Sequence, residues 1–281
     1  MKTIFTAAIL LTLVSCVSVN MPVPSEFKDH ATRMPVKGMD GWMFKQKLSF
    51  ANFQTTPVKR GWDFSTSVQY TKFRMSPEEY VLKVYNIHTD RKRENQRNKF
   101  QYAIEDGRLM TEVYATEKFR EDQLVYKSNN PWIGKVHNSL SYEYAFTAAI
   151  VPLNFKNNNP WSLVLISKSD RAHRGRGKFD ERYIEEEGYA TNGRENISIS
   201  PLRSGIVMNR DQEEIHVAGG KMFTGYELRI DNELVAVVDL IENTVWMHNQ
   251  LKPENKIIVA SIASALLLKR IHEPERHEVN D

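Results

Sequence analysis

The sequence predicts a mainly β domain closed around one hydrophobic helix near its carboxy terminus, and three observations carry that prediction. Apolar and polar residues alternate through long stretches, which is the period of a strand with one wet face. Tight-turn pairs such as Asp106-Gly107 and Asp231-Asn232 separate those stretches. Near the end, "IIVASIASALLL" (257–268) carries no charge and is apolar on every side of a helix. About twelve antiparallel strands forming a barrel around that helix is the expected architecture. A two-sheet sandwich with the helix packed across one end is the alternative.

In chain order the first element is a leader. "MKTIFTAAILLTLVSC" places one Lys before an apolar run from Ile4 to Val14 and small residues after it, the order of a secretory signal. The run is shorter than the ~20 apolar residues of a spanning helix. Leu13, Val14 and Ser15 before Cys16 resemble the bacterial lipobox, and Cys16 is the single cysteine of the chain. The resemblance implies removal of residues 1–15 and acylation of Cys16, so that acyl chains such as palmitate make the membrane a partner. Several chains are needed, since one gives only marginal anchoring. The mature protein then has neither disulfide nor thiolate metal site. Val17, Ser18, Val19 and Asn20 include no acidic residue, which in such lipoproteins points to the outer membrane, facing the periplasm.

Residues 16–40 contain three prolines and no hydrophobic period, and read as a tether. The domain is expected over 41–272, with a charged tail at 273–281. Trp42, Phe44, Leu48 and Phe50 share one strand face, and Trp62, Phe64, Thr66, Val68 and Tyr70 alternate with polar residues. In "FQYAIEDGRLMTEVYA", a two-residue turn at Asp106-Gly107 pairs Ile104 with Leu109 and sets Tyr102 opposite Thr111. Further strands are expected at 80–87, 140–151 and 161–168, with weaker ones between 196 and 218. "TGYELRI" and "ELVAVVDL" form a second hairpin through Asp231 and Asn232, followed by "TVWMH". Segments 117–139 and 170–195 read as long loops, although "DERYIEEE" suits a short helix.

The helix is expected over 252–272. Pro253 fits a first helical position, Glu254 complements the positive end, and Lys269, Arg270 and His272 complement the negative end. Twelve apolar residues rise about 18 Å, well short of a hydrocarbon core of about 30 Å. A protein interior must therefore surround them. Strands followed by a terminal hydrophobic helix, carried by "YELRIDNELVAVVDL", "TVWMH" and "IIVASIASALLLKR", resemble the Tubby C-terminal-like fold shared with the LURP-one-related proteins and the phospholipid scramblases. The resemblance implies a closed barrel around the helix. It carries over no ligand residues, because the phosphoinositide-binding pattern of the Tubby branch is not found.

The search for chemistry is mostly negative. There is no G-x-S-x-G elbow, phosphate-cradling glycine loop or H-E-x-x-H pair. The eight histidines are scattered, so neither metal nor cofactor is expected and no catalytic residue is assigned. Asp239 interrupts an apolar run, either as a buried acid with a function or as the end of a strand at a turn. "NNPW" occurs at 129–132 and 158–161, so Trp132 and Trp161 either plug a core end or stack on a sugar. The formal charge of +3 becomes +2 once Lys2 leaves with the leader, which favours no charged partner. Two basic clusters, "RKRENQRNK" and "DRAHRGRGK", make Arg93, Arg97, Arg174 and Arg176 candidate residues for an anionic lipid or an envelope polymer, or else solvated loops balanced by Glu185–Glu187. Nucleic acid is not expected for an exported chain. The leading expectation is a lipid-anchored envelope protein with a non-catalytic binding or structural domain. The alternatives are a hydrolase or transferase of an envelope polymer, and an anionic lipid-binding module.

Overall fold

The computed structural model describes residues 23–39, 45–61, 64–70, 87–128, 135–155, 159–170, 185–208, 214–216 and 222–269. The amino-terminal part comprises α1 (Ser25–Lys28), β1 (Ala31–Pro35), β2 (Ser49–Phe50), β3 (Phe53–Thr55), β4 (Lys59–Arg60) and β5 (Phe64–Tyr70). Long strands follow as β6 (Ile87–Glu105), β7 (Met110–Ser128), β8 (Lys135–Pro152) and β9 (Trp161–Asp170). Then come β10 (Glu185–Thr191), β11 (Asn196–Ser204), β12 (Ile206–Met208), β13 (Glu214–His216), β14 (Met222–Ile230), β15 (Glu233–Asp239), β16 (Thr244–His248) and α2 (Pro253–Leu268).

Twelve of these strands form one antiparallel path, β1-β16-β15-β14-β11-β10-β9-β8-β7-β6-β3-β2, with β4 and β5 also paired to β6. The two ends of the path meet. Just beyond β1, Lys37 N–H donates to Ser49 C=O at 2.9 Å and Ser49 N–H to Lys37 C=O at 3.1 Å. This bridge makes the wall a nearly closed barrel and excludes the two-sheet sandwich. Gly38, at φ +88°, lets the chain pass the Lys47 carbonyl, where a Cβ would collide with the oxygen.

Helix α2 fills the barrel. Every residue from Ile257 to Leu268 is buried, as expected of a cylinder apolar on all sides. Phe100, Tyr102 and Ile104 of β6, Val113 and Ala115 of β7, and Phe146, Ala148 and Ile150 of β8 pack inward, at the alternate positions a pleated strand presents to one face. The contact is also polar. The Tyr102 and Ser264 hydroxyls lie 2.7 Å apart, the Thr111 and Ser261 hydroxyls 2.7 Å apart, and Ser261 donates back to the Ile257 carbonyl at 2.7 Å.

Several expectations need correction. The stretch read as a tether folds from Val23 onward, because Val23 and Phe27 cover Val237 on the outside of β15 and β1 pairs with β16. The segment 117–139 is mostly strand, since β7 runs to Ser128 and β8 begins at Lys135. Glu185–Glu187 open strand β10 rather than ending a helix. The Asp106 hairpin pairs Ile104 with Thr111 and Tyr102 with Val113, two residues from the expected register. Asp106 Oδ1 accepts the amides of Arg108 at 2.8 Å and Leu109 at 2.7 Å, which enlarges the loop to Asp106–Leu109. A slip of two preserves which side chains face inward. Helix α2 stops at Leu268, and Lys269 is extended at φ −64°, ψ 145°. Trp42, Phe44 and Trp62, the strand expected at 80–86, Arg270 and His272 lie outside the described residues.

Beyond the level where α2 ends, β5, β6, β7 and β8 continue as a ladder. Tyr70 pairs with Arg91, Arg91 with Leu124, and Leu124 with Asn138. These strands thus form an arm that leaves the barrel at the carboxy-terminal end of α2. The segment α1–β1 enters at the other end, where Ala31 pairs with His248 shortly before α2 begins.

Candidate functional site at the end of the buried helix

The inner face of the wall changes character where α2 ends. Along β6 the inward positions run Ile104, Tyr102, Phe100 and then Asn98; along β7 they run Val113, Ala115 and then Glu117. Asn98 and Glu117 are paired across the two strands, and Asn98 Nδ2 donates to Glu117 Oε2 at 3.2 Å. Glu117 has no exposed surface and Asn98 only 5%. Asn98 Oδ1 is buried and accepts no hydrogen bond from the described residues. Next along the wall, Glu117 pairs with Phe146, Tyr144 with Ser167, and Ser167 with Glu186. Asn98 and Glu117 thus fall in one inward row and Tyr144, Ser167 and Glu186 in the next, and together they make a polar ring at this end of the barrel.

The helix terminus meets this ring. Arg60 Nη2 donates to the Leu268 carbonyl at 3.2 Å, supplying a partner for a last-turn acceptor that has none within the helix. The Arg60 guanidinium also sits over Phe100 at 5.3 Å. Lys269 is buried, and its ammonium lies 4.6 Å from the Tyr226 ring centroid, 5.3 Å from Tyr144 and 5.7 Å from Phe223. Its Nζ donates to Tyr226 Oη, and that hydroxyl donates to Glu186 Oε1 at 2.8 Å. Ring faces attract a cation more strongly once water is excluded, so a lysine with little access to solvent is held by three π systems and a phenol. The arrangement can hold cations and satisfy carbonyls. Among the described residues no group of three or more His, Cys, Asp or Glu side chains is placed to hold a metal ion.

Arg93 and Arg97 stand four residues apart on β6, Arg93 between Val68 and Asp122, Arg97 between Phe64 and Lys118. Arg174, Arg176 and Cys16 lie outside the described residues, as does Trp132. Strand β9 ends at Asp170, which shares a ladder row with Arg93 through Ser141 and Asp122. Three strand spacings of about 4.8 Å separate them. Trp161 is the first residue of β9 and is buried in the core. Asp239 marks the end of its strand at a turn, the second of the two expected readings. It is buried at the end of β15, and Oδ1 accepts the amides of Ile241 at 2.8 Å and Glu242 at 3.1 Å. Burial pushes its carboxyl above the usual aspartate range, against the opposing pull of those two amides. Sequence reasoning missed Asn98, Glu117 and Arg60, and read Lys269 only as a complement to the helix dipole. The detectable signal was parity, because Glu117 continues the inward series 111, 113, 115.

These features define a helix-filled, nearly closed β-barrel with a buried polar ring at one end and a stranded arm beyond it. Comparison with protein families, with curated proteins and with solved structures found no match for the chain.

Proposed function

We propose that this chain is an exported envelope protein, acylated at Cys16 and held at the outer membrane facing the periplasm, whose barrel is a binding or supporting module rather than an enzyme. The observation that carries the non-catalytic reading is the filling of the barrel by α2. The interior space that an ordinary small barrel offers a ligand is occupied by Ile257–Leu268. Among the described ionisable groups that reach inward, Arg60 caps α2, Lys269 sits in its aromatic cage, Glu186 accepts the Tyr226 hydroxyl, Glu117 accepts the Asn98 amide, and Asp239 holds a turn. Recognition then falls to the outer wall and the arm. Among the described residues no helix is long and apolar enough to cross a membrane, and acyl chains supply the attachment in this reading. The helix-in-barrel arrangement supports the likeness to the Tubby C-terminal-like fold, with no ligand residue carried over. Fractionation of cells expressing wild type and Cys16→Ala, with intact mass of the mature amino terminus, tests the anchor. The expected result is an acylated Cys16 in membranes and an unprocessed or released variant. Equal membrane retention and processing of both proteins overturns it.

A further inference from the structure

The outer wall between β4 and β9 carries an arrangement that the barrel itself does not use. Three successive ladder rows cross it: Lys59-Gln101-Tyr114-Ala149-Ser162, Lys99-Thr116-Thr147-Val164, and Arg97-Lys118-Ala145-Ile166. None of these positions is acidic. Lys59, Lys99 and Lys118 are exposed and stand one strand and one row apart in turn, so they run diagonally across β4, β6 and β7. Diagonal neighbours lie about 7–8 Å apart, which makes the lysine line about 15 Å long. A second diagonal, Tyr114-Thr147-Ile166, runs parallel to it two strands away, about 10 Å in the pairing direction. Here Tyr114 is 44% exposed and Ile166 41%, values that leave a phenol ring and a branched aliphatic side chain uncovered. Tyr189, 47% exposed, extends the uncharged side in the row of Val164. Acidic residues border the wall without entering it: Glu187 on β10 pairs with Ile166 at the end of the third row, Glu143 lies one row outside Lys118, and Glu112, one row outside on the other side, accepts the Tyr114 hydroxyl at 2.6 Å.

We propose that this wall binds a linear anionic polysaccharide, its acidic groups along Lys59, Lys99 and Lys118 and its sugar rings along Tyr114 and Ile166. Charge argues against a second copy of the chain, because two such faces would bring six lysines into one interface with no carboxylate in the three rows from β4 to β9 to meet them. The linear geometry suits a strand-like ligand: a cationic line and an apolar line run side by side. A bilayer is the weaker occupant. Val23 packs on β15, six strands from β7 around the path, so the face is turned away from an attachment at Cys16. That last argument rests on the anchor proposed above; the charge and the two diagonals do not.

The test uses the full chain carrying Cys16→Ala, so that acyl chains contribute nothing, in affinity electrophoresis through gels containing polygalacturonate or neutral dextran. Retardation by polygalacturonate and not by dextran is expected, with loss at 0.5 M NaCl. Lys99→Glu with Lys118→Glu should weaken binding at least tenfold, and Tyr114→Ala severalfold. Lys99→Gln with Lys118→Gln removes the two charges without reversing them and should fall between wild type and the glutamate pair. Absence of retardation, equal retardation of the glutamate pair, or binding to phosphatidylglycerol vesicles without binding to polygalacturonate overturns the proposal. The mass of the mature amino terminus reports on the anchor separately, whichever way this experiment falls.

Discussion

Replacing Tyr102 with Phe removes one hydroxyl from the middle of the helix-barrel contact and leaves the ring in place. In the wild type that hydroxyl lies 2.7 Å from Ser264 Oγ and 3.3 Å from the Ser261 carbonyl, among residues buried from solvent. Burial also pushes the phenol above its ordinary pKa, so the group stays neutral and acts purely as a hydrogen-bonding partner. Ser264 keeps its own bond to the Ser261 carbonyl at 3.0 Å, so the substitution strands no donor. The expected cost is therefore that of a net hydrogen bond, about 1 kcal/mol, rather than the 1–3 kcal/mol of an orphaned polar atom. For a chain of this size that corresponds to a melting temperature lower by about 2–4 °C. Urea unfolding of wild type, Tyr102→Phe, Ser264→Ala and the double variant measures both the cost and the coupling. A coupling of at least about 0.5 kcal/mol is expected for groups in contact. Additive single effects, or a Tyr102→Phe variant as stable as wild type, would refute the idea that polar contacts fix the helix inside the wall.

Gly38→Ala should destabilise the barrel by more than the ~1–2 kcal/mol that a left-handed conformation costs an L residue, because its Cβ also meets the Lys47 carbonyl. Faster hydrogen exchange at the Lys37 and Ser49 amides would locate the damage at the closing bridge, and unchanged exchange there would contradict that account of closure. Leu267→Asp places a carboxylate where the side chain is 3% exposed, and loss of cooperative melting is expected because a buried unpaired charge has no water; a soluble variant with wild-type melting would defeat the burial argument. For Asp239 the folded pKa is raised. As pH rises the unfolded carboxyl therefore ionises first, near the ordinary aspartate value of about 3.9. Between that value and the folded pKa the native state binds more protons, so its stability falls with rising pH. Asp239→Asn keeps an acceptor for the Ile241 and Glu242 amides without the charge. It should gain on wild type between pH 3.5 and 7 in denaturant titrations, and a relative loss over that range would reverse the sign argued here.

How much of this was legible in the sequence depended on whether a segment faces the core. The helix was readable because its apolar residues leave no side for water, and the Asp231-Asn232 turn because both residues take positive φ, 50° and 67°, as a two-residue hairpin loop requires. The Asp106 hairpin was readable in parity and wrong in register, because a side-chain oxygen capping two amides enlarges a loop without changing its composition. The strand through 117–128 gave no alternation. Its ladder continues past the end of α2, and with no helix alongside, selection for apolar residues at every second position is lost. Strand β1 was hidden for a related reason: among Ala31–Pro35 only Met34 is buried, too few positions to show a period. The outer diagonals could not be read at all, since Lys59, Lys99 and Lys118 become neighbours only through pairings on three strands.

The polar ring follows from enclosing a helix. A helix end in solvent gives its last carbonyls to water, whereas an end sealed in a barrel must find donors within the protein or lose their hydrogen bonds. Arg60 meets that need at Leu268. Once a guanidinium and then the Lys269 ammonium are brought inside, their own desolvation demands aromatic faces and acceptors, which Phe100, Tyr144, Phe223, Tyr226 and, through Tyr226, Glu186 provide. The transition on the wall from Phe100 to Asn98 and from Ala115 to Glu117 is then a consequence of where α2 stops. It also sets where the arm begins. Strands whose inner faces no longer meet an apolar helix are free to carry polar residues on both sides, and that freedom lets the basic stretch around Arg93 and Arg97 be part of the same sheet that encloses the core.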